Sequence, residues 1–249
     1  MMCTKQDLMM QMEALGIEAG GTLMVHLSYK AIGEVEGRGD AVLDALMEYM
    51  APGLLVLASH TWANVNEHNP VMDVLHTPCC VGRLPELFRN RPGVLRSLHP
   101  THALAAHGTE ARWFVEGEER IGTPCGEGGC YYKLWQRNAQ ILLIGVNFTR
   151  NTYIHGIEEW DRAANTISQK VSDMYVINGE GQRLYTPQRR HCAPLGSETF
   201  SRLEPQALLE GILTMGTFGD AAARLMRAVP LREMVAEQLA VDPSYLSRY

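Results

Sequence analysis

The chain has 249 residues, 46% of them hydrophobic, with a formal net charge of −6 and a pI near 5.8. That is enough apolar material for a full core, and the acidic balance with no Lys/Arg-rich run argues against a nucleic-acid binder, which needs a stripe of cations to neutralise phosphates. No stretch of eighteen apolar residues occurs, and Met1 to Asp7 lacks the basic start and apolar centre of a signal peptide, so a soluble cytoplasmic protein is expected. In such a compartment the six cysteines (Cys3, Cys79, Cys80, Cys125, Cys130, Cys192) read as reduced thiols.

In chain order, Leu8, Met9, Met12 and Leu15 share one face of a predicted helix from Lys5 to Leu15, ended by Gly16. A strand over Thr22 to His26 follows. Gly37 to Asp40 then opens a helix striped by Val42, Leu43, Leu46, Met47 and Met50, and Pro52-Gly53 turns into a strand over Leu54 to Ala58. This strand, helix, strand unit with short connections is the local signature of a layered α/β fold. From Ser59 to about Arg96 the periodicity gives way to a polar, Pro-punctuated stretch with one short helical piece, Gly82 to Arg89. Long loops on a rigid α/β frame commonly line a binding site.

Further on, Glu110 to Val115 reads as helical, the glycine-rich Gly117 to Gly129 as a second loop, and Ile141 to Val146 as a strand. Val171 to Ile177 and Gln182 to Thr186 flank Asn178-Gly179-Glu180-Gly181, the composition of a β-hairpin turn. The C-terminal third is expected to be helical, over Pro205 to Met215, Asp220 to Ala228 and Leu231 to Ala240. No repeat or linker interrupts the chain, so a single domain over residues 1–249 is expected.

Directly after the Ile141 to Val146 strand comes Asn151-Thr152-Tyr153-Ile154-His155-Gly156-Ile157-Glu158-Glu159. If a helix starts near Asn151 or Thr152, His155 and Glu158 project from one face, and the carboxylate can orient and charge-stabilise the imidazole. That is the layout of a general base. Two other segments carry polar groups at turns. His26-Leu27-Ser28-Tyr29-Lys30-Ala31-Ile32-Gly33 leaves a strand with amides, a hydroxyl and a lysine suited to phosphate, although an ordinary loop has the same composition. Arg96-Ser97-Leu98-His99-Pro100 sets a guanidinium, a hydroxyl and an imidazole before a stiffening proline.

Taken in order, these segments resemble the aminoglycoside 3-N-acetyltransferase family. The likeness runs through His26 to Gly33, Leu55 to Trp62, Asp73, Thr77 to Arg89, Arg96 to Pro100, Ala105 to Gly108, Leu142 to Val146 and Asn151 to Glu158. Gly219-Asp220-Ala221 with Arg224-Leu225 looks like the family's closing helix. Leu27, Lys30 and Ala103 stand where the family carries serines.

The resemblance implies a three-layer α/β/α fold with a central mixed sheet, acetyl-CoA as donor and a primary amine of an aminoglycoside as acceptor. It implies that the donor lies against Ser28, Tyr29 and Lys30 and against Arg96, Ser97 and His99. His155, Glu158 and Thr152 would then sit near the acetyl group. The chemistry agrees, because an ammonium must lose a proton before it attacks a thioester, and His155 is the side chain with the suitable ordinary pKa. Thr152 or Ser97 could support the developing oxyanion.

A polycationic acceptor calls for gathered carboxylates, with Asp73 and Glu159 as the leading candidates beside Glu67, Glu127 and Asp161. No metal is expected. The alternatives are transfer to a non-antibiotic amine, a CoA-binding module without catalysis, and a metal-assisted hydrolase built on His99, His155, His191 and Cys192. The resemblance and the Met-rich first helix also lead us to expect a homodimer.

Overall fold

The structure is a computed structural model that describes residues 2–193 and 195–247. Helix α1 (Lys5–Leu15) opens on a reciprocal cap between Thr4 and Asp7 and closes at Gly16, whose φ of 84° favours a residue without a side chain. Strand β1 (Thr22–Leu27), helix α2 (Arg38–Tyr49) and strand β2 (Leu54–Ala58) follow at the expected places. The polar segment then holds β3 (Val71–Asp73) and α3 (Arg83–Arg89) before β4 (Leu95–Arg96), β5 (Leu104–Gly108), α4 (Ala111–Val115) and α5 (Cys130–Gln136). Next come β6 (Gln140–Ile144), α6 (Tyr153–Trp160), β7 (Ile167–Ser172), β8 (Tyr175–Ile177), β9 (Arg183–Tyr185) and β10 (Gln188–His191). The chain ends with α7 (Glu204–Leu209), β11 (Leu213–Phe218), β12 (Ala221–Arg227) and α8 (Ala228–Val241).

Seven strands form the central sheet in the order β11-β12-β6-β1-β2-β5-β4. The middle three, β6, β1 and β2, run parallel, and the flanking strands pair antiparallel, so the sheet is mixed. Because side chains alternate along a strand, the same three strands feed two cores. Met24, Val56, Ile141 and Leu143 pack into one with α5, α6 and α8, while Leu23, Val25, Leu55, Leu57, Leu142 and Ile144 pack into the other with α1, α2 and α3. The result is the three-layer α/β/α arrangement with a mixed central sheet. Strands buried on both faces read as continuous apolar runs, as Leu54 to Leu57 and Ile141 to Ile144 do.

The C-terminal third departs from the expected helices. The segment 213–218 is strand β11, with only Glu204–Leu209 helical before it, and the segment 221–227 is strand β12 rather than the closing helix. Ala, Leu, Met and Arg carry helix propensity, but tertiary pairing overrides it: β12 lies between β6 and β11, burying Ala221, Ala223 and Leu225 in alternation. Gly219-Asp220 forms the two-residue hairpin loop, with Gly219 at φ 59°.

The predicted hairpin around Asn178 to Gly181 is present as β8 and β9, though β7 breaks away before it. β7 instead pairs with β10 in a separate two-stranded ribbon, and β3, β8 and β9 make a small third sheet. Among the described residues no helix is long and apolar enough to cross a membrane. All six cysteines are free.

Candidate active site

A cleft of about 700 Å³ opens at the carboxyl ends of β1 and β2, the usual location for a ligand in a sheet with parallel strands. His26, Leu27, Ser28 and Tyr29 from the end of β1 line one part of it; Ala58, His60 and Trp62 follow β2, and Thr149, Arg150, Thr152 and His155 follow β6. The turn at Tyr29–Ile32 is held by very close packing. A Cβ at Gly145 would overlap the Ala31 methyl, and one at Gly33, where φ is 81°, would overlap the Asp220 carboxylate. Asp220 also donates its amide to the Ile32 carbonyl at 2.9 Å, which ties the turn to the β11-β12 hairpin.

The helix expected after Asn151 is α6. His155 Nδ1 lies 2.7 Å from Glu158 Oε2, and their side chains are 14% and 1% exposed. With Nδ1–H donated to the carboxylate, the Nε2 lone pair is left for a proton acceptor's role. The other Glu158 oxygen is buried without a partner, so the imidazole is the group that compensates this carboxylate. The helix is well anchored. Tyr153 donates its hydroxyl to the Ala228 carbonyl at 2.9 Å, Trp160 Nε1 donates to the Cys125 carbonyl at 2.8 Å, and Arg232 pairs with Asp161 at 3.2 Å. Gly156 sits beneath Trp160, where a Cβ would come within 2.6 Å of the indole.

The second glutamate of the pair, Glu159, holds a second histidine. Its Oε1 accepts from His191 Nε2 at 2.8 Å and from the Cys125 amide at 2.9 Å. The His191 ring faces His155 at 4.3 Å between centroids, and Phe200 packs edge-on to His155 at 4.7 Å. Burial pushes the Glu159 carboxyl up to about 7, while burial and the neighbouring His155 hold His191 well below the usual histidine range. His191 is therefore a neutral ring, paired with Glu159 through Nε2. His102 packs edge-on against His191 at 5.6 Å and tilts against His60 at 4.8 Å, and His60 Nε2 is 2.8 Å from the Tyr131 hydroxyl. Burial also keeps His26 neutral, lowering it to about 4, and its Nε2 is buried at the cleft floor without a partner.

The other expected site residues distribute unevenly. Ser28, Tyr29, Thr152 and His155 line the cleft; Lys30 follows Tyr29 as an exposed residue outside the lining. Arg96, Ser97 and His99 lie beneath the surface and outside the lining. The Arg96 guanidinium donates to the carbonyls of Thr77 at 2.7 Å, Ser59 at 2.9 Å and Val74 at 3.3 Å, so it staples the long loop to the sheet. Ser97 Oγ accepts from the Leu104 amide at 3.0 Å. His99 accepts two amides on Nδ1, from Thr101 at 3.1 Å and His102 at 2.9 Å, and directs Nε2 at the Thr123 carbonyl. Asp73 caps its own turn by accepting from the Leu75 and His76 amides, both at 2.9 Å.

Glu159 faces His191 and a second cavity of about 400 Å³ that also meets Glu127, Glu158, Arg162 and Arg189. Of the four residues of the hydrolase alternative, His99, His155 and His191 are hydrogen-bonded as above, and Cys192 Sγ donates to the Asn165 carbonyl. The set of possible ligand atoms that does converge among the described residues is Cys125, Glu159 and His191, within 4.8 Å of one another.

His60, His102 and Arg190 carry no role in the sequence reading, yet all three line the cleft. For His60 a signal existed, since it leaves a strand of the parallel centre two residues after Ala58. His102 and Arg190 arrive from distant segments, which periodicity does not reveal.

A mixed sheet between two helical layers, with a histidine–carboxylate pair at the mouth of its parallel strands, defines an α/β protein with a candidate proton-transfer site. The model of the family described as aminoglycoside 3-N-acetyltransferase matches residues 24–240, and the chain belongs to this family, whose activity is acyl transfer. The chain is 27% identical over 243 residues to the SPbeta prophage-derived aminoglycoside N(3')-acetyltransferase-like protein YokD of Bacillus subtilis, an alignment spanning 89% of this chain and 87% of that one. It is 26% identical over 240 residues to aminoglycoside N(3)-acetyltransferase IV of Salmonella sp, spanning 96% and 88%. Among solved structures, a mutant of aminoglycoside acetyltransferase AAC(3)-IVa in complex with a gentamicin superposes with a TM-score of 0.86 at 23% identity, covering 99% of this chain and 92% of that one. The AAC-IIIb binary complex with CoASH superposes with a TM-score of 0.85 at 23% identity, covering 97% of each chain.

Proposed function

We propose that residues 1–249 form one acetyl-CoA-dependent N-acetyltransferase domain in which His155 takes the proton of a primary ammonium. The observation that carries this reading is the 2.7 Å His155–Glu158 pair at the cleft wall. Glu158 fixes the tautomer that leaves Nε2 available and stabilises the ring once it is protonated. A buried, well-anchored carboxylate does both without reorganising.

The cleft suits a pantetheine arm. It encloses about 700 Å³, has apolar walls from Val25, Leu27, Val81, Pro85 and Val146, and offers the Ser28 and Thr152 hydroxyls and the unpartnered His26 Nε2 to polar groups. Bound acetyl-CoA would supply the acyl group, activated as a thioester. Ser28 and Tyr29 would hold the arm, Thr152 would donate toward the acyl oxygen, and His155 would carry the proton away. Arg96, Ser97 and His99 would support the donor indirectly, by fixing the loop that forms the opposite wall.

The names of the relatives make the 3-amino group of an aminoglycoside the first acceptor for this reading; Asp73 and Glu159, the acids expected to receive such a polycation, would have to reach it from outside the cleft lining. A second acceptor, a non-antibiotic amine, is favoured by one observation: among the described residues, no aspartate or glutamate lines the cleft. Thiol release from acetyl-CoA, measured against gentamicin and simpler amines with His155→Ala alongside, tests the reading. Amine-dependent release that disappears in the variant is expected; equal release by the variant would remove His155 from the role.

A further inference from the structure

The charge of the cleft wall is one-sided. Arg150 and Arg190 are its charged side chains, burial holds four of its five imidazoles (His26, His60, His102 and His191) below the ordinary histidine range, and the carboxylates that approach the wall are already engaged. Glu158 and Glu159 each hold a histidine, and Glu67 accepts from Lys170 at 2.7 Å and from Ser172 at 2.8 Å. An ammonium-rich acceptor that shares this cleft with the donor and reaches His155 along this wall would lose water and gain no counter-charge, which is costly for each charge buried.

Arg190 is brought to this wall by an irregularity in β10. Consecutive strand residues face opposite sides, yet Arg190 and His191 both line the cleft. The pairing of β10 with β7 shifts register between Arg189 and His191, and a bulge of this kind re-aims one side chain. Arg189, before the shift, turns its Nε to the Ser168 carbonyl and lines the second cavity instead. Among the described residues the half-buried Arg190 guanidinium makes no hydrogen bond or ion pair, and Glu67, the acid within its electrostatic reach, is closed by Lys170 and Ser172. A free guanidinium fork next to the ring stacked on His155 is a receptor for a planar or tetrahedral anion.

Resting on the transferase reading above, we infer that the acceptor is an amine that also bears an anionic group, carboxylate or phosphoryl, bound by Arg190 while the amine is presented to His155. The test uses matched amines: ethanolamine with phosphoethanolamine, and glucosamine with glucosamine 6-phosphate, with gentamicin as the polycation. Thiol release gives kcat/KM for each with the full chain, its Arg190→Gln variant and its Arg190→Lys variant; CoA affinity and thermal melting are measured on all three.

The phosphorylated member of each pair should exceed its unphosphorylated partner by about tenfold or more. That ratio should collapse toward one in Arg190→Gln and be partly kept in Arg190→Lys. Gentamicin outcompeting the phosphorylated amines, or a ratio that survives Arg190→Gln, would overturn the inference and leave acetyl transfer standing. Arg190→Gln weakening CoA as much as the acceptor would also overturn it, because Arg190 would then serve the donor's phosphates. Absence of thiol release with every amine would overturn the transferase reading itself, and this inference with it.

Discussion

His155 and His191 face each other at 4.3 Å although 36 positions separate them, and each ring hangs from one member of the consecutive pair Glu158-Glu159. One turn of α6 thereby positions two imidazoles from two different elements. Two charged rings at that spacing would repel, so the arrangement holds at most one added proton comfortably. His191, donating to Glu159 and held well below the ordinary histidine range, is the ring that stays neutral.

Removal of the proposed base gives the sharpest expected effect. His155→Ala should lower kcat by about a hundred- to ten-thousand-fold while CoA affinity changes little. Glu158→Gln keeps an acceptor for Nδ1–H but loses the charge that stabilises the imidazolium, so a smaller fall in kcat is expected. Initial rates with calorimetric CoA binding on each variant check both; a Glu158→Gln enzyme with unaltered kcat would show that the carboxylate only positions the ring.

Stability should respond to acid in a defined window. Burial holds His26 and His99 at about 4 in the folded chain against 6.5 when unfolded. Between those values the unfolded chain binds more protons, so their contribution is present above pH 6.5 and is lost as pH falls toward 4. Glu159 acts oppositely. Raised to about 7 from 4.5, it contributes fully below pH 4.5, and that contribution is lost as pH rises through 7. Urea unfolding of Glu159→Gln should therefore show a stability gain relative to the parent at pH 8, on the order of 3 kcal/mol, that shrinks toward pH 4.5. A pH-independent difference would mean that the carboxyl is not displaced by folding.

Arg96→Met should act chiefly on stability. It removes the donors to the Ser59, Val74 and Thr77 carbonyls while keeping much of the stem's volume. A loss of about 2–4 kcal/mol is expected from unfolding measurements, since three loop carbonyls would lose a charged donor. Unaltered stability with a many-fold loss of CoA affinity would instead place the guanidinium on the donor.

The close approach at Gly33 makes a different demand. Gly33→Ala combines a φ of 81° with overlap against the Asp220 carboxylate, so the Tyr29–Ile32 turn must move. A fall in stability of about 1–3 kcal/mol and a raised KM for acetyl-CoA are expected together, read by melting and by donor titration. A variant that melts lower with unchanged donor KM would separate this turn from donor binding.

Much of this arrangement is legible in local pattern. The helices at Lys5–Leu15 and Arg38–Tyr49, strand Leu54–Ala58 and the three-residue spacing of His155 and Glu158 all follow from periodicity and capping, because short-range geometry decides them. What escapes is set by long-range contact. Ala221 to Arg227 carries helix-forming residues yet becomes a strand because β6 offers an open edge. Arg96 resembles a surface phosphate ligand until its burial under three carbonyls is known, and His60 and His102 converge from segments some forty residues apart. The Gly219-Asp220 pair is a readable hairpin signal that the alanine run outweighs.

The β7-β10 ribbon stands apart from the seven-stranded sheet, yet it supplies both His191 and Arg190 to the cleft. On the reading proposed above, insertions, deletions or register slips in that ribbon would redraw the acceptor wall while the central strands and the helix bearing His155 stay as they are. The proposed proton-transfer chemistry and the proposed choice of amine would then rest on separate parts of the fold, so that the acceptor could change without disturbing the base.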